Sequence, residues 1–131
     1  MNIGVDIGGS HIAAGLINDK NEIILKKEHN WTDEEKKDIF KSIEEYLKYI
    51  DNVLIMSVEP GRGGQKFMDE IVYKIDKLKK IRETNNYNYI ISIDGGINEE
   101  TIKKAKGVDL AISGSFICMS DNYQERVDKL R

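Results

Sequence analysis

Three short apolar runs in the second half of the chain each stop at glycine. "NVLIMSV" leads into "EPGRGG", "NYIISID" into a Gly95–Gly96 pair, and "VDLAIS" into Gly114 and Ser115. Between the runs lie "FMDEIVYKIDKLKKIRE", an amphipathic helix, and "NEETIKKAK", a helix capped by Asn98. "DNYQERVDKLR" forms the last helix. Apolar strands alternating with helices predict an α/β fold with a parallel sheet covered on both faces. In such folds ligands sit at the carboxyl ends of the strands. Glycine there lets the backbone approach a ligand, and the following helix start favours an anion. Turn geometry alone also explains any one of these glycines. Three in register favour phosphate. "GRGGQKF" lacks the Gly-Lys-Ser/Thr ending of a nucleoside triphosphate loop.

The first fifty residues have a different texture. "NIGVDIG", "HIAAGLIN" and "NEIILKKEH" are strands joined by tight turns, which predicts an antiparallel β-meander. In "TDEEKKDIFKSIEEYLKYI", Thr32 is an N-cap and acids fill the first turn. Apolar Ile39, Ile43, Tyr46, Leu47 and Ile50 recur at helical spacing, so one helix is predicted over 33–50. The change near Trp31 divides the chain into 1–31, the meander, and 32–131, a compact α/β segment. The expected sheet is open, with about six strands and an antiparallel edge.

Composition excludes several classes. The net charge of -3 gives no basic excess for a nucleic-acid surface. No apolar run approaches the roughly 18 residues of a membrane span, and no leader-like pattern opens the chain, so a cytoplasmic location is expected. Cys118 is the only cysteine, which excludes an intrachain disulfide and a cysteine metal cluster.

Residues from about 42 to 131 resemble the C-terminal part of ribulose-phosphate 3-epimerase, a (β/α)8 barrel. "YLKYIDNVLIMSVEPGRGGQKF" resembles its sixth strand and phosphate loop. "ISIDGGINEETI" resembles its seventh strand and "VDLAISGSFI" its eighth. The resemblance implies three parallel strands with helices from such a barrel. It implies that Gly61, Arg62, Gly63, Gly64, Gly95, Gly96, Gly114 and Ser115 hold a sugar phosphate. Met56 would line the pocket. Asp94 would be one of two acid/base carboxylates and a ligand of a divalent metal such as zinc, iron or manganese. The family loop more often reads PGFGGQ, so Arg62 departs from it. An arginine there either adds a charge-assisted bond to phosphate or points into solvent.

The implied reaction interconverts ribulose 5-phosphate and xylulose 5-phosphate. It removes a proton beside a ketone from one face and returns one to the other, which needs two positioned acid/base groups. The family draws its second carboxylate and its histidine ligands from the first four strands. That pattern is absent from this sequence. His11 and His29 lack a paired aspartate at the family's spacing and are read as non-ligands.

The opening "IGVDIGGSHIAAGLIN" resembles that of ROK-type sugar kinases. The resemblance implies Asp6 near magnesium and Gly8, Gly9 and Ser10 near nucleotide phosphate. The remaining kinase motifs are absent, so a glycine turn between two strands is the better reading of the stretch. The chain therefore reads as a composite. It is either a phosphosugar-binding epimerase-type chain, or an inactive scaffold with inherited phosphate motifs, or, more weakly, a kinase remnant. Strands taken from an incomplete barrel predict a homodimer, because the inner apolar faces need cover.

Overall fold

The computed structural model describes residues 2–7, 11–59, 61 and 64–131. Contacts divide the chain into two compact units, Met1–Ile43 and Glu44–Arg131. No helix among the described residues is long and apolar enough to cross a membrane.

The first unit holds the predicted meander. Strands β1 (Asn2–Ile7), β2 (His11–Ile17) and β3 (Ile23–Asn30) pair antiparallel in the order β1-β2-β3. The turn between β2 and β3 is built by Asn18, whose side-chain oxygen accepts from Lys20 N at 2.9 Å and Glu22 N at 3.0 Å. An asparagine bonding its own downstream backbone sets such a turn without help from the core. Helices α1 (Asp33–Lys37) and α2 (Ile39–Ile43) follow. Thr32 and Glu35 form a reciprocal capping box at the start of α1, as the Thr32 cap predicts.

The single helix expected over 33–50 is broken. Asp38 has φ -146° and ψ 82°, and its carboxylate accepts from Lys41 N at 3.2 Å. Asp38 thus ends one helix and caps the next, a competition that short acidic side chains win against the helical ladder. A 3-10 helix, Glu44–Tyr49, replaces the final turns.

The second unit is the parallel α/β segment. Strands β4 (Asn52–Met56), β5 (Ile90–Asp94) and β6 (Leu110–Ile112) pair in the order β4-β5-β6. A 3-10 turn, Asp69–Ile71, opens into α3 (Val72–Asn85), which closes on Asn86 in the left-handed conformation, φ 54°. Ile71, Ile75 and Leu78 are buried at helical spacing, and α3 contacts β5. With Ile55, Ile91 and Ile93 they make the core. At the amino end of the sheet, Arg82 donates to the carbonyl of Tyr89 at 3.0 Å and pairs with Asp109. The Asp109 carboxylate also accepts from Ile91 N at 2.7 Å. The chain finishes with α4 (Ser115–Cys118) and α5 (Tyr123–Asp128), the latter capped by Asn122.

Three expectations are corrected here. Among the described residues, the strands form two three-stranded sheets, not one of six. The helix expected over "NEETIKKAK" is one 3-10 turn, Thr101–Lys103, whose N-cap is Glu100; the Asn98 side-chain oxygen accepts from Glu100 N and Thr101 N just ahead of it. A short segment gains too few bonds to propagate past a single turn. Finally, among the described residues one face of the parallel sheet is partly exposed. Leu54, Met56, Ile90, Leu110 and Ile112, which the register places on one face, are 39–47% exposed.

Candidate functional site at the strand exits

Register aligns the carboxyl ends of the three parallel strands. Met56 stands beside Asp94, and Asp94 beside Ile112. Each chain therefore leaves the sheet at the same level, and the three glycine turns gather there. Gly61 (φ 111°) and Gly64 (φ 71°) lie after β4, Gly95 (φ 120°) and Gly96 (φ 62°) after β5, and Gly114 and Ser115 after β6. The side chain of Gln65 donates to the carbonyl of Glu59 and closes the first loop on itself.

The β5 turn fits tightly beneath the β4 loop. A Cβ on Gly95 would come within 2.6 Å of the Val58 side chain. One on Gly96 would come within 2.7 Å of Phe67 N and 3.1 Å of Gln65 O. The Gly95–Gly96 pair is thus demanded by packing between turns as well as by its positive φ. Gly114 differs: a Cβ there would meet nothing within 4 Å.

One cavity of about 470 Å³ opens among these turns. Its walls include Gly64, Lys66, Gly96, Thr101, Lys104 and Ser115. It therefore brings together one predicted residue from each of the three turns. Lys66 and Lys104, which the sequence reading did not single out, add positive charge. Lys104 is shared with Asp69, whose two carboxylate oxygens lie 2.7 and 3.0 Å from its Nζ. Lys66 was findable as the cation directly after the glycine loop. Lys104 lies on a segment read only as a helix face.

Asp94 and Met56 are not in the cavity wall. Asp94 is half-buried at the end of β5, on the open face of the sheet between Met56 and Ile112. Gly61, Gly95 and Gly114 belong to the same turns, also outside the described wall. Arg62 and Gly63 lie outside the described residues, as do Gly8, Gly9 and Ser10. Asp6 is exposed on β1 opposite Ala13.

Among the described residues, no three His, Cys, Asp or Glu side chains come together as a metal site. His29 is engaged elsewhere, its Nε2 lying 3.0 Å from Glu35. Asp94 supplies one donor, too few to hold a divalent ion, which takes four or more ligands.

Strands in parallel, covered by helices on one face and ending together in glycine turns, define an α/β protein of the class that binds ligands at its strand exits. The ribulose-phosphate 3-epimerase family model matches residues 36–118, and the chain belongs to that family. It is 39% identical over 87 residues to ribulose-phosphate 3-epimerase of Mycobacterium tuberculosis, covering 65% of this chain and 38% of that protein. The corresponding protein of Helicobacter pylori is 37% identical over 93 residues, 70% of this chain and 43% of that one. That of Methanocaldococcus jannaschii is 41% identical over 92 residues, 69% and 39%. The chain thus spans about two-fifths of the length of the curated relatives it matches.

Proposed function

We propose that this chain is a phosphosugar-binding member of ribulose-phosphate 3-epimerase type, contributing one half of an epimerase site. The supporting observation is the convergence of Gly64, Gly96 and Ser115 on one cavity that also carries Lys66 and Lys104. Backbone amides at glycine turns and two ammonium groups suit a phosphate. Asp94 stands at the neighbouring strand end, where its carboxylate could take or return the C3 proton on one face of ribulose 5-phosphate. The other face needs a second acid/base group. A metal centre of zinc, iron or manganese would likewise need ligands besides Asp94.

Completion by a second copy is part of this reading. The open apolar face formed by Leu54, Met56, Ile90, Leu110 and Ile112 is the surface a two-fold partner would cover, and Asp94 lies on it. The direct test is proton exchange at C3 of ribulose 5-phosphate in deuterated water, alongside calorimetric titration with the same sugar. Exchange that disappears in Asp94→Asn supports the epimerase reading. Binding without exchange reduces it to phosphosugar binding, and absence of both at millimolar ligand overturns it.

A second reading is an inactive scaffold with inherited turns, favoured by the lone Asp94. The kinase-remnant reading predicts magnesium-dependent ATP binding lost in Asp6→Ala.

A further inference from the structure

Four consecutive carbonyls, from Asp94 to Ile97, each accept a hydrogen bond from a side-chain hydroxyl. Ser57 Oγ lies 2.9 Å from Asp94 O and 2.6 Å from Gly95 O. Thr101 Oγ1 lies 2.8 Å from Gly96 O, and Ser113 Oγ lies 2.8 Å from Ile97 O. The three hydroxyls come from three places: the exit of β4, the 3-10 turn after β5, and the exit of β6. Ser57 is fully buried, and its own N–H donates to Asp94 O at 2.8 Å. Its single hydroxyl proton is shared between two carbonyls.

This arrangement has a consequence for the other side of the turn. In a planar trans peptide the C=O and the following N–H point in opposite directions. Drawing the carbonyls of Asp94, Gly95 and Gly96 toward hydroxyls turns the N–H groups of Gly95, Gly96 and Ile97 away from them. Among the described residues, nothing accepts a hydrogen bond from these three amides. The next amide, Asn98 N, turns back to Thr101 Oγ1 at 2.9 Å. Gly96 and Ile97 line the cavity, beside Lys66. Successive outward amides in a turn make a concavity suited to an anion.

We infer that Ser57 and Thr101 are positioning residues: by holding the carbonyls of 94–96 they present the amides of Gly95, Gly96 and Ile97 to an anionic group. The identity of that group as a phosphate rests on the proposed function above. The hydroxyl latch does not.

The test compares the full chain with Ser57→Ala, Ser57→Thr, Thr101→Val and Thr101→Ser by amide-resolved NMR, with and without inorganic phosphate. Without phosphate, Ser57→Ala and Thr101→Val should move the Gly95, Gly96 and Ile97 amide resonances. Their phosphate Kd should rise about tenfold, the scale of one good hydrogen bond. Ser57→Thr and Thr101→Ser should restore the affinity, which a loss of packing alone would not explain. Resonances that stay in place in both hydroxyl-deleted variants, or a phosphate affinity equal to that of the unaltered chain, overturn the inference. An unaltered chain that fails to bind phosphate overturns the proposed function alone, and the amide resonances then decide the latch. If Ser57→Ala does not fold, Thr101→Val reaches the same turn from a separate element and carries the measurement.

Discussion

The α-carbon of Gly96 faces the backbone nitrogen of Phe67 so closely that an added Cβ would lie 2.7 Å from it. Backbone cannot yield as a flexible side chain can, and φ is 62° besides. Gly96→Ala should therefore destabilise the chain by about 2–3 kcal/mol, combining left-handed strain with displacement of the β4 loop. Gly114→Ala, with nothing within 4 Å of the new methyl, should change stability by less than about 1 kcal/mol. Urea unfolding of the two variants, compared at unchanged slope, checks both values.

At the other end of the sheet, Asp109 joins the Ile91 amide to Arg82. Burial would raise its pKa, but the Ile91 N–H and the Arg82 guanidinium outweigh that and hold it below the ordinary value of 3.8. The folded pKa is depressed, so the stabilisation is present above the unfolded value and is lost as pH falls through the folded one. Asp109→Ala removes the acceptor of a core strand amide and should cost about 1–3 kcal/mol near neutral pH. The penalty should shrink in acid, because the unaltered chain loses the same interaction there. Unfolding free energies measured down to the acid transition report this convergence.

The first unit contains a second pH-sensitive contact. Thr32 N–H and hydroxyl and the His29 ring all meet the Glu35 carboxylate, and its pKa falls from 4.5 to about 2, led by the Thr32 backbone bond. This depressed carboxylate favours the folded state above pH 4.5, and the contribution fades as pH falls toward about 2. The Glu35 side-chain carbon should titrate near that lower value by NMR. Glu35→Gln should remove the acid-dependent part of the fraying of α1.

Association should follow from the partly exposed sheet face. Leu54 and Leu110 are 47% and 43% exposed, on the same face by register. Light scattering on a size-exclusion column should give twice the 15.0 kDa chain mass. Leu54→Lys together with Leu110→Lys should return it to the monomer without loss of secondary structure, because neither side chain is in the core. A 15.0 kDa species that binds no apolar dye at high micromolar concentration refutes the dimer.

The sequence by itself determined the order and kind of most elements. Period-two and apolar runs mark six strands, and the alternation after residue 50 makes the second set parallel. Glycine after each parallel strand marks the end at which a ligand would bind. Local chemistry was equally legible where it is local: Thr32 with Glu35, and Asn98 with Glu100 and Thr101. Tertiary structure decided what depends on partners distant in the chain. Ser57 holds carbonyls 37 and 38 residues away, so no window of sequence shows the latch. Apolarity on both sides of β4 and β6 states that each side wants cover, but not whether this chain supplies it. The break at Asp38 was hidden because the apolar spacing continues across it, while the aspartate's short side chain captured the backbone that the helix needed. Periodicity records which faces seek burial. Only the folded chain fixes which backbone groups are taken, and which remain free to meet a ligand.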